Sequence, residues 1–152
     1  MDSPDAPRRA RLPDTALTPV AGGASVPLRV ARHSAVLVLL DGAPGPEDRA
    51  FLDELAAGAP EIAGWDGRVL AVIAGDATQP GEAVAALGLP FPVLADPAGT
   101  VLAAAGVAAP ALVVADQWGE IHWVVPTGEG LPWPPVAEAE QWARFLAIRC
   151  AG

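Results

Sequence analysis

Residues 35–55, AVLVLLDGAPGPEDRAFLDEL, constrain this chain more than any other stretch. Val36–Leu40 is apolar at every position, not at every second one, as expected of a central strand covered on both faces. The run stops at Asp41–Gly42 and gives way to a Pro/Gly turn. An amphipathic helix is predicted over 47–57, with Phe51, Leu52 and Leu55 inward and Asp48, Asp53 and Glu54 in water. Pro46 suits the first helical position, and Glu47 and Asp48 complement the positive end of the helix dipole. A strand that feeds a helix through a tight turn sets up an α/β architecture.

The flanking sequence extends that pattern. Leu17–Val20 and Val26–Val30, around Gly22–Gly23, read as a hairpin. Arg68–Ala74 is a second buried strand, Pro80–Leu87 a short helix and Phe91–Leu94 a brief strand. Asp96–Pro97 is expected to cap a helix over 98–105 that ends at Gly106. Ala111–Ala115 and Glu120–Val125 form an antiparallel pair around the turn Asp116–Gln117–Trp118–Gly119. Residues 126–135 are an irregular Pro/Gly/Trp loop, and the last helix covers 136–149. Alternating β and α imply a parallel central pair, with a closing antiparallel hairpin and helices on both faces.

Composition excludes several roles. The 152 residues fit one domain of 14–152 preceded by a flexible tail, 1–13, in which Arg8, Arg9 and Arg11 cluster. Eighteen acidic residues against nine basic ones, all arginine, give a net charge of −9. That balance argues against nucleic acid and anionic membrane as partners. No apolar run reaches the ~18 residues of a membrane span. The N-terminus carries charges and prolines where a signal peptide needs an apolar segment, so a cytoplasmic location without membrane insertion is expected.

The element order and two local strings resemble the thioredoxin-like superfamily, and within it the peroxiredoxin (AhpC/TSA, redoxin) branch. FPVLADPAGTVLAAAGV at 91–107 is similar to that branch's F-P-x-L-x-D-x-x-G segment ending in Gly-Val. ALVVADQWGEIHW at 111–123 is similar to the strand–turn–strand that follows it. The resemblance spans about residues 14–149. It implies a thioredoxin-like three-layer α/β/α sandwich, with a mixed central sheet and an N-terminal β-hairpin. It also implies a reactive thiol in the turn after the first central strand, because a helix N-terminus stabilises a thiolate. Here GPEDRAFLDEL at 45–55 falls where relatives read CxxCRxxLxxL. Gly45 and Asp48 stand at the two cysteine positions, with Pro46 and Glu47 between them, and none of the four exchanges thiols. The Thr/Ser that a peroxiredoxin sets beside its thiolate is missing between Asp41 and Asp53, although Arg49 is present. Pro110 matches the cis-proline that relatives pack against the active-site turn.

Three readings of function follow. The first is a domain without catalytic residues, kept as a protein-binding or assembly subunit with a protein partner or a second copy. Its expected contact residues are Trp118, Trp123 and Trp133, which fall in the Pro-rich region, and Trp118 at a turn tip is the hardest to bury. The second is residual peroxidase or thiol–disulfide activity through Cys150, the one cysteine, which requires Cys150 beside the Asp41–Asp48 turn. The third is a peptide or small ligand in the groove beside Pro110. His33 and His122 lack metal-ligand spacing, so neither metal nor cofactor is expected. Asp96 and Asp116 read as cap and turn residues, not as a catalytic pair.

Overall fold

A computed structural model describes residues 10–151, with side chains through residue 149. The elements run β1 (Ala16–Pro19), β2 (Val26–Pro27), β3 (Ser34–Leu40), α1 (Pro46–Gly64), β4 (Gly67–Ala74), α2 (Thr78–Ala85) and β5 (Val93–Asp96). They continue with α3 (Thr100–Ala105), β6 (Ala111–Ala115), β7 (Ile121–Pro126) and α4 (Val136–Ala151). One seven-stranded mixed sheet has the order β2-β1-β5-β4-β3-β6-β7. β3 pairs parallel to β4 and antiparallel to β6, which puts the uninterrupted apolar run at the centre.

Alternation along β3 divides the core in two. Val36, Val38 and Leu40 meet Phe51, Leu52, Leu55 and Ile62 of α1, Val84 of α2, and Ala139, Ala143 and Leu146 of α4. Ala35, Leu37 and Leu39 face the other way, toward Val101 of α3 and the buried Leu12 and Leu28. These are the three layers of a thioredoxin-like α/β/α sandwich.

Three expectations needed correction. The packed chain does not begin at residue 14. Leu12 is fully buried, its N–H donates to Gly119 O at 2.7 Å, and Ile121 N–H donates to Ala10 O at 2.8 Å. One apolar side chain with two sheet-type hydrogen bonds outweighs its charged surroundings. The Arg11 backbone pairs with Glu120 in an isolated antiparallel β-bridge, and Arg8 and Arg9 lie outside the described residues. Second, β2 shrinks to Val26–Pro27. Pro27 has no N–H to give a ladder, and Leu28 next to it turns into the core. Third, α1 runs on to Gly64 through Pro60. Ile62 supplies the reason: it is fully buried, and a Cβ on Gly67 would lie 2.5 Å from its Cγ2. Tertiary packing of that side chain overrides the helix-breaking tendency of Pro60.

Candidate functional site

The turn after Leu40 lies at the C-terminal end of β3, and α1 starts from it. Gly45 is the N-cap, in an extended conformation (φ −77°, ψ −179°), and Pro46 opens the helix. Arg49 N–H donates to Gly45 O at 3.0 Å, the first helical bond. Asp48 then closes the turn from within: its Oδ2 accepts the Gly45 N–H at 3.0 Å. Its Oδ1 accepts the indole N–H of Trp133 at 3.0 Å. Trp133 lies flat on Phe51, with ring centroids 4.4 Å apart and planes 7° from parallel. The Pro-rich loop is therefore clamped over the first turns of α1. The groove beside it, of about 400 Å³, is lined by Glu47, Phe51, Glu54, Pro132, Trp133 and Pro134. A carboxylate thus holds the helix-terminal position where the resemblance puts a thiol, and both of its oxygens are engaged.

Pro110 comes to the same end of the sheet. Ala111 pairs with Leu39, and the Ala109–Pro110 bond is cis. The Pro110 carbonyl accepts both the Thr127 N–H and the Thr127 hydroxyl, each at 3.0 Å.

The last turn of α4, which carries residue 150, does not come to this end. Val136 and Glu140, early in α4, lie against Gly58 of α1, and Ala143 lies against Gly67 at the start of β4. Leu146 and Ala147 share a cavity with Ser34, the first residue of β3. The helix backbone at Cys150 is about one turn further on. β3 itself spans about 20 Å from Ser34 to Leu40 at ~3.3 Å per residue. The last turn of α4 and the Asp41–Asp48 turn therefore occupy opposite ends of the sheet.

The tryptophans do not form one patch. Trp118, at the tip of the β6–β7 turn, is 56% exposed and sits at the Ser34 end, because Ala115 pairs with Ala35. Trp123 is half-buried on β7 and stacks near Trp142 of α4, with centroids 6.2 Å apart. Trp133 is at the opposite end, on Phe51.

Asp96 and Asp116 act as local organisers. The Asp96 carboxylate accepts the N–H groups of Thr100 (3.0 Å) and Val101 (2.9 Å), capping α3. Asp116 Oδ1 accepts the N–H of Trp118 (2.9 Å) and of Glu120 (3.0 Å), and Oδ2 lies 2.9 Å from His122 Nε2. The turn brings Asp116, Glu120 and His122 to within 4.8 Å of one another, a set of donors able to hold a metal ion. Sequence spacing misses this group because histidine pairs are the signal it carries. His33 is elsewhere, with Nδ1 3.1 Å from Asp66 O.

Comparison with solved structures establishes the class of fold. A secreted thiol-disulfide isomerase from Corynebacterium glutamicum superposes with a TM-score of 0.71 at 20% identity, covering 97% of this chain and 96% of that one. The exposed lipoprotein thioredoxin of Streptococcus pneumoniae gives 0.69 at 22% identity, covering 86% and 99%. A thioredoxin-like protein from Porphyromonas gingivalis gives 0.63 at 25% identity, covering 93% and 94%. The fold is thioredoxin-like. No family model matches the chain, and no curated protein matches it. No helix among the described residues is long and apolar enough to cross a membrane.

Proposed function

We propose that this chain is a thioredoxin-like domain without thiol chemistry that serves as a protein-binding or assembly subunit. One observation carries the reading. The single cysteine belongs to the last turn of α4, at the end of the sheet away from the turn where this fold builds a thiolate. Residual exchange or peroxide reduction through Cys150 would need it beside Asp48. The Asp48 carboxylate, fixed by Gly45 and Trp133, supports a turn retained for structure. The groove between α1 and the Pro/Trp loop is a suitable docking face, with an apolar floor and Glu47 and Glu54 at its margin. Trp118 offers a second, separate contact. A net charge of −9 favours a partner with a basic surface and speeds its encounter. The strings at 91–107 and 111–123 support a reading within the peroxiredoxin branch, beside superposing structures that are thioredoxins and thiol-disulfide isomerases, and the proposed place of action is the cytoplasm.

The test is native mass measurement of the tagged protein isolated from its own cell, before and after thiol alkylation. The expected result is a defined complex that survives alkylation and is weakened by Trp133→Ala or Trp118→Ala. A monomer, or a complex lost on alkylation, contradicts the reading.

A further inference from the structure

α4 turns a second face away from the core. Ala139, Ala143 and Leu146 are buried beneath the helix, while Phe145 is 50% and Ile148 58% exposed. At 3.6 residues per turn, Glu138, Trp142, Phe145 and Arg149 fall on one stripe of the outer side, with Gln141 and Ile148 along its margin. Trp142 anchors the stripe to the sheet. Its ring stacks near Trp123 of β7 at 6.2 Å, lies 6.1 Å from the His122 ring and meets Phe145 edge-on at 5.7 Å. A cleft of about 360 Å³ opens between Trp123, Glu138, Gln141, Trp142 and Phe145.

The order of the stripe identifies what fits on it. Its four residues stand at i, i+4, i+7 and i+11, a spacing that is the same from either end. Glu138 in the first turn and Arg149 in the last are exposed and opposite in charge, and an aromatic ring holds each middle position. Within one helix the two charges are three turns, about 16 Å, apart and do not meet. A two-fold axis beside the midpoint, between Ala143 and Arg144, lays the stripe antiparallel on its own copy. Glu138 then faces Arg149 of the second copy, and Trp142 faces Phe145 of the second copy, and symmetry makes each contact twice. The cleft beside Trp123 receives that phenylalanine ring. Rings already held by Trp123 and Trp142 lose little freedom on docking.

We propose that this face is a homodimer interface, in which the α4 stripes of two copies pack antiparallel across a two-fold axis with Trp123 at the margin. The inference rests on the reading of the chain as an assembly subunit and names its partner, a second copy. The contact is separate from the α1 groove and from Trp118. The acid–base pairs fix direction and register, and the buried rings supply the affinity. A single helix face buries less than the ~800 Å² per partner of a standard interface, so a dissociation constant in the micromolar range is expected.

The experiment is sedimentation velocity of the purified full chain, with reductant present, from about 1 to about 500 μM. A reversible monomer–dimer equilibrium is expected. Phe145→Glu, at a half-exposed position, should weaken it at least about thirtyfold, as loss of a hot-spot ring does. Glu138→Arg and Arg149→Glu should each weaken it about tenfold, because each sets like charges together at both ends of the interface. The double variant Glu138→Arg/Arg149→Glu remakes both pairs and should return to within about threefold of the unaltered chain. That rescue belongs to a stripe paired with itself, since the two residues do not meet within one helix. A monomer throughout the range overturns the proposal. So does a dimer indifferent to Phe145→Glu, or a double variant no tighter than the single ones. If the purified chain stays monomeric while the tagged protein from its own cell keeps a complex, the self-pairing falls and the assembly-subunit reading stands.

Discussion

Trp133 donates its indole N–H to Asp48 across 85 residues of chain, at 3.0 Å. Through this bond the Pro-rich loop and the first turn of α1 form one unit, with Asp48 also holding the Gly45 N–H. Hydrogen bonds to charged acceptors contribute about 1.5–3 kcal/mol when partly shielded. Trp133→Phe keeps a ring on Phe51 and removes the donor, so a loss of about 1–2 kcal/mol is expected. Asp48→Ala should cost somewhat more, because the helix cap goes with it. In a double-mutant cycle by denaturant unfolding, the two should couple by at least about 0.5 kcal/mol. Strict additivity would show that the contact contributes nothing.

Returning thiols to the turn tests what the scaffold still offers. The double variant Gly45→Cys/Asp48→Cys places a thiol at the N-cap of α1, facing the positive end of a 19-residue helix. That thiol should ionise below the ordinary value of about 8.5. Alkylation rate against pH, with Cys150→Ser in the background, reads this directly. A pKa at or above the ordinary value would mean that the helix end no longer favours an anion.

Ser34→Ala should stabilise the protein. The substitution removes a buried hydroxyl that has no partner and leaves the backbone of β3 as it is. A gain of about 1 kcal/mol is expected in chemical denaturation. A loss of stability would mean that the hydroxyl is satisfied in solution.

Gly67→Ala should be among the most damaging single changes. The added Cβ would meet Ile62 Cγ2 at 2.5 Å, the Ile62 carbonyl at 3.0 Å and Ala143 Cβ at 3.3 Å. The backbone contact cannot swing away, so destabilisation of about 2–3 kcal/mol is expected from thermal or urea unfolding. A neutral result would show that α1 and α4 shift apart easily.

The fold is legible because hydrophobic periodicity fixes it locally. Val36–Leu40 and Arg68–Ala74 read as buried strands, and Phe51, Leu52 and Leu55 as a helix face, and all take those places. What escapes a local reading depends on distant partners. Leu12 reads as part of a charged tail, and only the fold brings Gly119 and Arg29 beside it. Pro60 reads as a stop, and only the core's hold on Ile62 carries the helix past it. The Asp48 position is readable as a carboxylate at a helix start, but nothing local joins it to Trp133. The cavity at Ser34 is invisible for the same reason. Its lining residues Arg32, Asp66 and Gln117 stand in three separate loops, and no motif links them.

The most direct measurement of the central claim is turnover of a small disulfide and of hydrogen peroxide, by the intact protein and by the same sample alkylated at Cys150. Neither sample is expected to exceed the blank, because the last turn of α4, whose backbone carries residue 150, and the helix start after β3 lie at opposite ends of the sheet. Turnover by the intact protein that alkylation abolishes would contradict that claim.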